Sequence, residues 1–107
     1  MALKANITID QGTDFSTSID VTDDNGDPTD LSGFTGAAQM RKHYTSSNAY
    51  SFTVAIANGS VTLSMHSATT SNIAAGRYVY DCELVSGSNV VTRIVEGIVT
   101  ISPQVTR

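Results

Sequence analysis

The chain has 107 residues, of which 40% are hydrophobic and only 15% charged, with a formal net charge of −4 and a single cysteine. That length suits one domain burying about two-thirds of its unfolded surface, and the richness in Ser, Thr, Gly, Val and Ile is strand and turn chemistry rather than helix chemistry. The basic residues Lys4, Arg41, Lys42, Arg77, Arg93 and Arg107 are scattered, which argues against nucleic-acid binding, and one cysteine excludes an internal disulfide.

Residues 1–6 contain no apolar h-region, and the longest apolar run is a few residues. Neither a signal peptide nor a membrane span is expected, and synthesis in a cytoplasm follows from that reading. Residues 5–9 form a short candidate strand in which Ile7 and Ile9 alternate with polar neighbours. It carries little charge, and uncharged, uncovered edges pair with other chains. Ala5, Asn6, Ile7, Thr8 and Ile9 are therefore candidates for strand addition to a neighbour.

Gln11 and Gly12 end that strand. Residues 13–21 then alternate Phe15, Thr17, Ile19 and Val21 with Asp14, Ser16, Ser18 and Asp20, a half-buried strand with one solvated face. The run Asp23-Asp24-Asn25-Gly26-Asp27-Pro28-Thr29-Asp30 is turn chemistry, with Asn25-Gly26 able to supply positive φ angles. In residues 35–42 the small side chains Gly36, Ala38 and Met40 face inward, which predicts another element packed closely over them. Residues 43–49 read as a surface connection.

The clearest local signal lies in residues 50–65, where Asn58-Gly59 separates two alternating apolar series. A two-residue loop pairs Ala57 with Ser60, Ile56 with Val61, Val54 with Leu63 and Phe52 with Met65, so every apolar residue meets an apolar partner. A slip of one residue would send one series to solvent. Residues 67–76 allow one helical turn near 67–73, with Ser67 as N-cap and Gly76 near the stop, serving as a crossover between sheets.

The last stretch, residues 76–102, reads as two long strands joined by the turn Ser86-Gly87-Ser88-Asn89. Tyr78, Tyr80, Cys82 and Leu84 share an inward face, and Arg77, Asp81 and Glu83 the wet one. Val91, Val95, Val99 and Ile101 form the matching face of the final strand, with a bulge or bend expected near Glu96-Gly97. A ribbon of this length needs the rest of the chain to cover it. About seven short strands at this spacing suggest a sandwich or a barrel.

Chemical sites are sparse. Asp23, Asn25 and Asp27 have the alternate spacing of a calcium loop, but Pro28 and Phe34 stand where that loop needs Gly and Glu. His43 and His66 lie alone among polar neighbours, short of the ligands zinc requires. Cys82 faces inward with no activating base beside it in sequence, and neither a nucleophile elbow nor a phosphate-binding glycine loop is present. No metal, cofactor or catalytic residue is assigned.

Three segments taken in order carry a resemblance: Asp30-Leu31-Ser32-Gly33-Phe34, Gly76-Arg77-Tyr78-Val79-Tyr80-Asp81, and the closing Val95-Glu96-Gly97-Ile98-Val99-Thr100-Ile101-Ser102-Pro103-Gln104-Val105-Thr106-Arg107. Together they resemble a group of small tailed-bacteriophage virion proteins with a "DL(S/T)G" segment, a "G-x-Y-x-Y-D" strand and a "VSPxVTR" end. The resemblance implies an all-β fold, a single antiparallel immunoglobulin-like β-sandwich over residues 1–107 with a C-terminal tail at 103–107. It implies a non-enzymatic, multi-copy accessory or adaptor of the tail, neck or baseplate, located in the virion. Its partners would be other phage structural proteins and copies of itself, with no nucleic acid or membrane partner. It also raises Pro103, Gln104, Val105, Thr106 and Arg107 as docking residues. Capsid decoration is the nearest alternative. A carbohydrate-binding module is more distant, since the chain has no Trp and only four Tyr from which to build a stacking platform.

Overall fold

The computed structural model describes residues 3–22, 25–27, 29–57 and 59–105. Over these the chain forms β1 (Leu3–Lys4), β2 (Ile7–Asp10), β3 (Phe15–Asp20), β4 (Thr35–Arg41), β5 (Tyr50–Ala57), β6 (Ser60–Met65), α1 (Ser67–Thr70), β7 (Gly76–Val85) and β8 (Val91–Ser102). The all-β expectation holds. The strands make one curled sheet in the order β1-β8-β7-β4-β5-β6-β3, with β2 continuing β1 along β8. Pairing is antiparallel except at β1 and β2, which run parallel to β8, a correction to the purely antiparallel expectation. Among the described residues no helix is long and apolar enough to cross a membrane.

The hairpin of β5 and β6 takes the expected register, with Ala57↔Ser60, Ile56↔Val61 and Val54↔Leu63; Asn58 lies outside the described residues. The fourth expected pair does not form. Phe52 pairs with Ala38 of β4, and Met65 pairs with Phe15 of β3. β5 thus begins beside β4 and ends beside β6, carrying the sheet round the core. The Phe52 ring marks the crossing, 6.1 Å from Phe15 and 6.2 Å from Tyr80 between centroids, and such tilted pairs add about 0.5–1.5 kcal/mol beyond burial.

The small inward face of β4 does what its residues predict. A Cβ on Gly36 would come within 2.7 Å of Val54 Cγ1 and 3.1 Å of Leu84 Cδ2, so a larger residue here would force the Val54 side chain of β5 to shift. Met40 and Leu63 are wholly buried in the resulting core, with Val61, Ile73, Val99 and Ile101 beside them. Each large aliphatic side chain buried there contributes about 1.5–3 kcal/mol.

In the final ribbon Tyr78, Tyr80, Cys82 and Leu84 are all buried as the alternation requires. The bulge, however, does not lie at Gly97. Cys82 pairs with Val95 and Glu83 with Arg93, leaving Ile94 as the extra residue. Alternation runs unbroken from Val95 through Gly97, Val99 and Ile101, while upstream of the bulge the faces exchange. Val91, expected inside, is therefore 58% exposed and Val95 is fully buried.

The helical turn is shorter than the expected 67–73, and His66 rather than Ser67 occupies the N-cap position, without a side-chain cap bond. The cap comes from elsewhere in the chain: Ser67 N–H donates to Asp14 Oδ1 at 2.7 Å. Thr70, wholly buried, fastens the same turn to residues 12 and 13. Its hydroxyl accepts from Gly12 N–H at 3.1 Å and donates to Thr13 O at 2.8 Å.

Candidate functional site

The N-terminal strand and the C-terminal segment are where contacts are expected from the sequence. Leu3↔Val95, Lys4↔Glu96 and Ile7↔Val99 share one parallel offset, which puts Ala5 opposite Gly97. Ala5 N–H donates to Glu96 O at 2.9 Å, as a parallel ladder requires. Its carbonyl instead accepts from the Tyr80 hydroxyl at 2.6 Å, and the Ile98 N–H bonds Asn6 Oδ1 at 3.2 Å. A side-chain amide thus stands in for a backbone carbonyl, and this substitution separates β1 from β2. Gly97 permits it, because a Cβ there would overlap the Ala5 carbonyl.

The strand predicted for addition is therefore an edge strand, bonded to β8 on one side. Ala5 and Gln11 N–H groups point at Glu96 O and Ser102 O, and backbone groups alternate sides along a strand. Thr8 accordingly turns its N–H and C=O away from β8. Of the five residues proposed here, Asn6 and Thr8 are exposed, Ala5 and Ile7 half-buried, and Ile9 wholly buried. Ile9 is a core residue, and its side chain is not a contact surface.

Among the described residues the other edge of the sheet is β3. Val21 N–H donates to Gly59 O at 2.9 Å, in line with the register Ile19↔Val61 and Thr17↔Leu63 against β6. Ser16, Ser18 and Asp20 therefore aim their N–H and C=O groups at the open side. β2 and β3 follow one another through residues 11–14, yet β2 pairs with β8 and β3 with β6. Between these parted strands runs a crevice of about 320 Å³, with Leu3 and Ile7 on one lip, Ile19 and Asp20 on the other, and Tyr80 and Val95 at its floor. Sequence reasoning identified β2 as an edge but missed β3, whose alternating pattern looks the same in a central and an edge strand.

The C-terminal segment begins by docking on its own chain. Gln104 N–H donates to Gln11 Oε1 at 3.0 Å, and Gln11 Nε2 donates to Ile73 O at 2.8 Å, so one carboxamide ties three segments together. Pro103 and Val105 are exposed. Thr106 and Arg107 lie outside the described residues, as do Asp23, Asp24 and Pro28 of the acidic turn.

The remaining chemically capable groups are accounted for locally. Burial, with Asp81 and Glu83 nearby, pushes the Cys82 thiol up to about 11, which makes it a poor nucleophile. Burial likewise raises Tyr80 to about 12 and shifts Tyr78 upward. His66, expected to stand alone, lies 3.5 Å from the Asp14 carboxylate, and the Ser67 backbone N–H holds that carboxyl below its ordinary range. His43 is exposed. Among the described residues no three His, Cys, Asp or Glu side chains converge as metal ligands would. On the outer face Arg93 bridges Asp81 at 3.4 Å and Glu83 at 4.0 Å, exposed pairs worth little individually. No protein-family model and no curated protein matches the chain.

Proposed function

We propose that this chain is a non-enzymatic structural protein of a tailed-bacteriophage particle, a multi-copy accessory or adaptor of the tail, neck or baseplate that assembles through sheet edges and its terminal segments. On this reading the curled sheet is the immunoglobulin-like sandwich of the resembling group, and other phage structural proteins and copies of itself are its partners. The observation that carries it is the ordered resemblance of three segments.

The roles of those segments in the fold support the reading. Asp30 Oδ1 accepts from Ser32 N–H at 3.0 Å and Leu31 is buried in the core, so the first segment shapes the entry to β4. Gly76 adopts φ 140° at the start of β7, and the tyrosines that follow it face inward. Over its described residues the third segment is β8 from Val95 onward, followed by Gln104 docked on Gln11. Each segment is thus a fold-determining piece, the kind of residue pattern a shared architecture demands.

A cryo-electron-microscopy map of the purified particle from the phage encoding this chain tests the proposal. Density fitting the domain at the neck, tail or baseplate supports it; density at symmetry-related capsid positions converts it to head decoration; none in either place overturns it. Removing residues 1–9 would be a poor test of assembly, since it deletes Ile9 from the core.

One observation favours the glycan-binding alternative. Tyr44 is 82% exposed beside Gln39, Arg41, Asp81 and Glu83 in an outer-face groove, offering one stacking ring among polar groups. Glycan-array binding that is lost in Tyr44→Ala would establish that reading.

A further inference from the structure

We infer that the crevice between β2 and β3 receives an extended polypeptide arm of a partner protein, which adds a strand to the open edge of β3. The proposal rests on the reading of this chain as an assembly module and narrows its contact to one edge. Three features of the crevice carry it.

First, Ser16, Ser18 and Asp20 present backbone N–H and C=O groups along one line, because the alternation set by the Val21 N–H to Gly59 O bond puts the hydrogen bonds to β6 on the intervening residues. Second, apart from the charge of Asp20 at its end, this edge lacks the devices that normally block edge pairing. β3 reads Phe-Ser-Thr-Ser-Ile-Asp, without Lys, Pro or a bulge, and such an edge is a template for another strand. Third, the space beside it is apolar at the bottom and sized for a few side chains: Tyr80 and Val95 form the floor, Ile7 and Ile19 the walls. Its volume of about 320 Å³ lies at the small end of ligand pockets.

These features also define the occupant. A strand lying in the crevice needs free edges of its own, which an arm has and a strand already held within a folded sheet lacks. Side chains alternate along it, so every second residue should be aliphatic, facing Ile19 and Val95. Asp20 lines the mouth and forms no ion pair among the described residues, so a Lys or Arg at that end complements it. Leu3, 59% exposed at the same mouth, would be covered by the arm.

The test pans a random dodecapeptide display library against the purified full chain and maps the selected peptides by amide hydrogen exchange. The expected peptides alternate aliphatic and polar residues and carry a basic residue at one end. They should slow exchange at Ser16, Ser18 and Asp20 at least tenfold. Ser18→Pro, which removes an outward N–H, should weaken binding at least tenfold, and Asp20→Lys should replace the basic preference with an acidic one without touching the backbone. Failure to enrich any peptide, protection confined to another surface, or concentration-dependent self-association that buries β3 in its place would overturn the proposal. Because the panning needs no particle, its failure is distinct from a failure to find the domain in the virion.

Discussion

The Tyr80 hydroxyl donates to the Ala5 carbonyl across 2.6 Å and 75 residues of chain. That bond takes the carbonyl out of the parallel ladder, and Asn6 Oδ1 fills the gap it leaves at Ile98. The N-terminal segment is thereby fixed to the core at the floor of the open crevice. A buried tyrosine needs a partner for its hydroxyl, and here the partner is the backbone of the strand it anchors.

Tyr80→Phe should therefore leave the Ala5 carbonyl without its bond and cost about 1–3 kcal/mol. Urea unfolding should show the midpoint falling, and hydrogen exchange should rise first in β1 and β2. Unchanged exchange in those strands would mean that the bond does not hold them.

Gly97→Ala should be worse than its size suggests, because the added methyl overlaps the Ala5 carbonyl. Overpacking of this kind costs about 1–3 kcal/mol. The loss should appear as released protection at Ile7 and Ile9, with the β5–β6 hairpin retained.

Thr70→Val keeps the shape of a wholly buried residue while removing both bonds to residues 12 and 13. The stranded Gly12 N–H and Thr13 carbonyl should cost about 1–3 kcal/mol in thermal or urea unfolding. A neutral result would show that water replaces the hydroxyl.

Val91 and Val95 separate the two readings of the last strand. Both fall on one face by alternation, but the bulge at Ile94 turns Val91 outward. Val91→Thr should change stability by less than about 0.5 kcal/mol, whereas Val95→Thr places a hydroxyl in the core and should cost at least about 1 kcal/mol.

Alkaline stability follows from Cys82 and Tyr80. Their folded values, about 11 and about 12, stand above ordinary values of 9.0 and 10.0. The folded state holds these protons after the unfolded chain has lost them, so stability is full below about pH 9 and declines as pH rises towards 12. Cys82→Ala should flatten the lower part of that decline in unfolding measured from pH 8 upward; an unchanged slope would remove the thiol from the account.

Much of this protein is decided locally. Alternation determined which face of β4, β6 and β7 is buried, and the Asn58-Gly59 turn with its two apolar series determined the β5–β6 register, because side-chain direction has a period of two within any one strand. The tertiary structure decided which strands are neighbours: that β2 runs parallel to β8, that β5 leaves β4 at Phe52, that β3 ends the sheet, and that Ile94 bulges. The candidate site followed the same division, with the β2 edge legible in its sequence and the crevice visible only once β3 was placed. Those outcomes depend on contacts between segments far apart in the chain, where each pairing competes with others for the same buried surface, and no local pattern records which competitor wins.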